Sequence, residues 1–152
     1  MTRPPRAPDH AARIGGAILA DPHDDRAALH GASQALGIGG PNLAASSLVM
    51  GTTVDLSVSG ASANAPGWVI MALGGEVPVS SGGVTVYPDL NVFPSWVFLP
   101  FNTDTTGSHV LPVNVPYLHA AAGVVFTLQG YIPHPAGLSS ALTNGLRMTI
   151  GY

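Results

Sequence analysis

An all-β sandwich is the fold class this chain predicts, and three observations predict it. Turn residues recur at intervals of about 10 to 15 positions from Gly37 onward. The segments between them are short and apolar, and several alternate apolar with polar side chains, the period of two expected of strands. The composition completes the pattern: 19 Gly and 14 Pro, with 46% hydrophobic and only 9% charged residues, suit many short strands joined by tight turns. A chain of 152 residues is most simply one domain, long enough to bury roughly two thirds of the surface its unfolded form exposes. The expectation is a two-sheet, jelly-roll-like sandwich of seven to nine strands over residues 41–152, preceded by an N-terminal arm or leader over residues 1–40.

The first 40 positions obey different rules from the rest. They hold eight of the 13 charged residues and four of the five arginines, and no aromatic residue occurs before Trp68. Asp21-Pro22-His23-Asp24-Asp25 reads as a helix start, with Asp21 as N-cap, Pro22 at the first helical position and two acids at the positive end of the helix dipole. Leu29, Ala32 and Leu36 make a narrow apolar stripe and Gly37 stops it, so the spacing predicts a helix over about 22–36. That stripe is too weak to hold a helix alone; it must dock or form only in part. The competing account is an extended leader, on the strength of Arg3-Pro4-Pro5 and Ala7-Pro8. The apolar stretch 14–20 is short and contains Gly15 and Gly16, so no export signal is expected from it.

Gly37-Ile38-Gly39-Gly40-Pro41 opens the sandwich. Residues 42–50 are weakly strand-like, whereas 52–59 is a clear strand with Val54, Leu56 and Val58 inward and Thr53, Asp55 and Ser57 outward. Pro66-Gly67 breaks the chain. The run 68–73 is apolar on both parities, which predicts a strand covered on both faces or packed against the N-terminal segment. Residues 74–83 read as a loop, 84–87 as a short strand ending at Pro88, and 96–101 as the next strand. A turn over 102–107 leads to 108–115, where Leu111, Val113 and Val115 alternate with Val110, Pro112 and Asn114. After a crossover at 116–123, Val124, Phe126 and Leu128 alternate with Val125, Thr127 and Gln129; one face of each strand is predicted to be core. Residues 132–144 read as irregular, and Leu146, Met148 and Ile150 close the chain as a final strand.

The residues that carry chemistry are sparse. A net charge of −3, no lysine and arginines gathered in the arm argue against a nucleic-acid or anionic-membrane partner. No apolar run approaches the roughly 20 residues that span a bilayer, so no membrane insertion is expected. With no cysteine, disulfides and thiolate metal sites are impossible. His10, His23 and His30 read as solvated arm residues, and neighbours such as Asp24 and Asp25 point away from His23 on a helix. His109, His119 and His134 form no ligand-spaced pair. No G-x-S-x-G elbow exists; Gly31-Ala32-Ser33-Gln34-Ala35 and Gly60-Ala61-Ser62-Ala63-Asn64 each lack the final Gly. Gly37-Ile38-Gly39-Gly40 lacks the third glycine of a dinucleotide loop. Asp55, Glu76, Asp89 and Asp104 are spread over different turns and strands, and Asp104 is expected to stabilise its turn rather than bind Ca²⁺, which wants about six to eight oxygens. No catalytic residue, metal site or cofactor is therefore predicted. The binding candidates are aromatic: Trp68, Tyr87, Trp96, Tyr117 and Tyr131 make a sugar-stacking platform if several face solvent, and ordinary packing if they do not.

Several pieces of the body carry a family likeness: GGPNLAASS at 39–47, TTVDLSVSGASANAPGWVIMALG at 52–74, TDTTGSHVLPVNVP at 103–116, GVVFTLQGY at 123–131 and LTNGLRMTIG at 142–151. In order and spacing they resemble a β-sandwich module found at the C-terminus of secreted and cell-surface proteins of Planctomycetes-like bacteria. The resemblance covers about three quarters of the chain and implies an extracellular or cell-surface setting, with no family activity to carry over. Such modules typically follow a signal peptide and a larger N-terminal region, whereas only about 40 residues precede this one. That suggests an excised domain, a subunit processed from a precursor, or a stand-alone relative. The expected function is a non-catalytic structural or interaction module that self-associates as a filament, surface layer or homo-oligomer, with residues 1–40 as a candidate contact. The alternatives are a lectin-like module that binds a glycan, and a hydrolase in which His109, His119 or His134 meets an acid and a hydroxyl.

Overall fold

Alternation in residues 53–59 sends Val54, Leu56 and Val58 into the interior, each at most 2% exposed, and leaves Thr53 and Asp55 in solvent. Burying side chains of this kind stabilises by about 1.5–3 kcal/mol each relative to exposure. The computed structural model describes residues 40–81, 83–93, 95–133 and 140–152, together with the backbone of 32–36. Its strands are β1 (Ala32–Leu36), β2 (Asn42–Ala45), β3 (Thr53–Ser59), β4 (Pro66–Leu73), β5 (Val79–Ser81), β6 (Val84–Val86), β7 (Val97–Asn102), β8 (His109–Asn114), β9 (Val125–Ile132) and β10 (Ala141–Thr149). Helix among the described residues is confined to two single 3-10 turns, Leu90–Val92 and His119–Ala121.

All strand pairs are antiparallel. A five-stranded sheet runs β1-β10-β9-β4-β7, a three-stranded sheet runs β2-β3-β8, and β5-β6 form a separate hairpin. Leu43, Val54, Leu56 and Val58 of the smaller sheet share one core with Val69, Phe101, Leu128, Leu146 and Met148 of the larger. Close packing needs glycine at Gly67, where a Cβ would stand 2.5 Å from Cζ of Phe101.

Two loops at one end brace each other. The Thr103 hydroxyl accepts from the Ala65 N–H (2.8 Å) and donates to the Ser62 carbonyl (2.6 Å). Asn64 N–H donates to the Asp104 carbonyl and Ala61 N–H to the Gly107 carbonyl. Asp104 organises the turn as expected, its Oδ1 accepting from Thr106 N, Thr106 Oγ1 and Ser108 N at 2.6–3.0 Å.

The all-β class holds, and several details differ from the sequence expectation. Residues 32–36, expected as the end of a helix, are a strand paired with the whole of 145–149; the rest of the expected helix, 22–31, lies outside the described residues. The physical reason is that β10 is nine residues long and β1 supplies backbone partners along one side of it, which a weak helical stripe cannot outweigh. Among the described residues ten strands are present rather than seven to nine, and they divide five, three and two. The extra ones are β1 and β5, the latter within the expected loop 74–83. The irregular stretch expected at 132–144 shrinks, because β9 reaches Ile132 and β10 begins at Ala141. Finally, β9 is not one-sided: Thr127 and Gln129 are as buried as Leu128.

Candidate binding face

Residues on β4 alternate between the core and the outer face of the five-stranded sheet. Val69 points inward, while Trp68, Ile70 and Ala72 point outward opposite Tyr131, Gln129 and Thr127 of β9. On the other side of β4, Trp68 and Ile70 face Pro100 and Phe98 of β7.

The chain between β4 and β7 lies back across part of this outer face, and polar side chains of β9 hold it there. Gln129 Nε2 donates to the Thr85 and Thr143 carbonyls, both at 2.9 Å, and Gln129 Oε1 accepts from the Tyr87 N–H at 3.1 Å. Thr127 Oγ1 donates to the Gly74 carbonyl at 3.0 Å. Tyr87 packs on Gly145, where a Cβ would lie 2.5 Å from the ring. A single ion pair, Arg147 to Glu76 at 3.8 Å, spans the same region at its partly exposed margin and contributes little. This covering explains why Thr127 and Gln129 are buried: they face a second layer, and every polar atom of the Gln129 amide is used to fix it.

The cover stops short of the sheet's other half. There Trp68 and Tyr131 lie side by side with ring centroids 6.1 Å apart and planes 21° apart, an offset rather than a face-to-face pair. Trp96 donates its indole N–H to the Asp89 carbonyl at 3.0 Å and meets Phe93 edge-on at 5.7 Å and Phe98 at 6.2 Å. Asp89 in turn caps the turn Leu90–Val92, accepting from Asn91 N and Nδ2. The outcome is a band of rings across β9, β4 and β7 and onto that turn, with Trp68 38%, Phe98 48% and Phe93 61% exposed. None of the band's side chains is charged. The surface offers stacking and apolar contact, with the Tyr131 hydroxyl bonded to Ser140 Oγ at its margin (3.1 Å).

Of the five aromatic candidates, Trp68, Trp96 and Tyr131 join this band. Tyr87 lies on the same sheet face but is half-buried against Gly145. Tyr117 is elsewhere, 69% exposed and edge-on to His119 (4.9 Å), which lies 6.3 Å from Tyr152. Phe93 and Phe98 were not among the candidates. Phe98 sits in an apolar run in which both parities look like core, so nothing in its neighbours marks it as outward.

Among the described residues, the two histidines, His109 and His119, do not converge. His109 stacks on Phe101 at 5.6 Å, His119 belongs to the Tyr117 cluster, and His134 lies outside the described residues. Among the described residues no group of three or more His, Asp or Glu side chains is placed to hold a metal ion. A groove of about 440 Å³ separates the β5-β6 hairpin from β10, but its Thr143 and Asn144 side chains are committed to bonds within the fold. The Asp104 carboxyl is held below its ordinary value by hydrogen bonds from the Thr106 hydroxyl first, then from Ser108 and Thr106 N–H.

No protein-family model matches the chain, and no curated protein sequence matches it. Among solved structures, the sporulation control protein Spo0M from Bacillus subtilis is similar over 76% of this chain and 51% of that one, at 13% identity and a TM-score of 0.34. The chain thus spans about half the length of Spo0M. No helix among the described residues is long and apolar enough to cross a membrane.

Proposed function

We propose that the protein is a non-catalytic structural or interaction module that self-associates, in the extracellular or cell-surface setting implied by its resemblance to sandwich modules of Planctomycetes-like bacteria. The observation that carries the reading is the exposed aromatic band over β9, β4 and β7. Large uncharged rings left open next to a part of the same sheet that is carefully covered mark a contact surface. Two copies meeting through this band would bring no like charges together; a self-complementary contact closes as a two-fold pair, and a head-to-tail contact extends as a filament. Negative-stain electron microscopy with light scattering on concentrated protein tests the proposal. Defined dimers or filaments are expected, and a dispersed monomer at all concentrations opposes it.

A glycan is the second reading, favoured by the Trp68 and Tyr131 rings beside the Tyr131 and Ser140 hydroxyls, since a sugar needs both a ring face and polar partners. On a glycan array this reading expects a signal that disappears in Trp68→Ala, and a blank array counts against it.

A further inference from the structure

The two facing sheets are unequal, five strands against three, so the smaller cannot cover the whole inner face of the larger. The shortfall appears on the side where β7 and β8 form the free edges. These strands meet at the turn that joins them, where Phe101 stacks on His109, and belong to different sheets along their length. Toward their far ends a slot of about 130 Å³ opens between the sheets. Its floor is Leu56, Leu128 and Met148, all at most 2% exposed. Nearer solvent, Met71, Leu99, Val113 and Phe126 face inward yet are only half-buried, which is unusual for core positions in a close-packed protein. Every lining side chain is apolar except Asn114, which stands with Pro116 at the mouth.

We propose that this slot binds the alkyl tail of a free small amphiphile, inserted end first between the sheets. The lining settles the chemistry of the inserted part, because it has no polar group to receive a hydrogen-bonding guest. The volume settles its size: an apolar cavity of about 150 Å³ accepts a guest the size of benzene, so on the order of six carbons fit. Met71 and Met148 are adaptable enough to follow the shape of a flexible chain. The opening settles the orientation, since a polar end at Asn114 and Pro116 remains in water. A strand from a second copy is disfavoured as the occupant, because both edges beside the slot carry a proline in mid-strand, Pro100 in β7 and Pro112 in β8, and neither residue can donate to an added ladder.

The test is methyl NMR of the full chain titrated with 1-hexanol. Saturable shifts are expected at the methyls of Met71, Leu99, Val113, Leu128 and Met148, with none at Val110, which points to solvent from the same strand. Val113→Phe fills the mouth and is expected to weaken binding at least tenfold. Leu99→Phe does the same from the opposite sheet should the first variant fold poorly. Absent or non-saturating shifts, unchanged affinity in a folded filling variant, or shifts confined to methyls beside the aromatic band, such as those of Ile70 opposite Phe98, would each overturn the proposal. The aromatic band is a separate surface, so its role in self-association stands or falls independently.

Discussion

Asn144 and Leu43 join the two sheets through a side-chain amide that takes the place of a strand partner. The Leu43 N–H donates to Asn144 Oδ1 at 2.7 Å, and Asn144 Nδ2 donates back to the Leu43 carbonyl at 3.0 Å, both buried and 101 residues apart in sequence. The contact is possible because the pairing of β10 with β9 shifts between Leu142 and Gly145, a bulge that re-aims the side chains there. It also occupies part of the free edge of β2.

Replacing Asn144 by Leu strands a buried donor and a buried acceptor on Leu43, each costing about 1–3 kcal/mol. Urea unfolding of Asn144→Leu is expected to show a loss of about 2–4 kcal/mol with an unchanged slope. A loss below about 0.5 kcal/mol would mean that water reaches Leu43 and the amide is not needed.

Gln129 performs the comparable task on the outer face. In Gln129→Leu the Thr85 carbonyl and Tyr87 N–H lose their anchor, so the cover over the sheet is expected to loosen while the core persists. Hydrogen exchange at Tyr87 should quicken at least tenfold, with Val69 and Leu128 amides little changed. Uniform acceleration across the protein would show instead that the cover and the core unfold together.

Asp104 sets a pH dependence. Its folded pKa is depressed, so its contribution is fully present above the unfolded carboxyl value and is lost as pH falls through the lower folded value. Wild-type Tm is therefore expected to decline as pH drops below about 4 more steeply than that of Asp104→Asn, which keeps an acceptor in the turn but does not titrate. Parallel profiles for the two proteins would remove Asp104 from the acid response.

Two glycines separate backbone strain from collision. Gly60 (φ +71°) has open space around an added Cβ, whereas at Gly107 (φ +76°) the same atom would collide with the Ala61 carbonyl oxygen. Gly60→Ala is expected to cost about 1 kcal/mol, the penalty for the left-handed conformation alone. Gly107→Ala should cost at least twice that, read from paired chemical denaturation curves.

Much of the sandwich was legible because it is local. Alternation marks Val54, Leu56 and Val58, and likewise Leu146 and Met148, without reference to the rest of the chain. What escaped was set by distant partners. Thr127 and Gln129 look like the solvent face of β9 until Gly74, Thr85 and Tyr87 come to lie over them, and Asn144 looks like turn chemistry until β2 arrives beside it. The same non-locality turned residues 32–36 into a strand, since pairing with β10 outweighed a modest helical preference. In the aromatic band, Trp68, Trp96 and Tyr131 were identifiable by type. Phe93 and Phe98 were not, because their exposure follows from where the cover ends.

The most direct test of self-association through the aromatic band is sedimentation velocity over a hundredfold concentration range, comparing wild type with a Trp68→Ser, Phe98→Ser double variant. The account predicts a concentration-dependent dimer or larger species for wild type and at least a tenfold weaker association for the variant, with the same Tm. A wild type that stays monomeric throughout, or a folded variant that associates equally well, would contradict it.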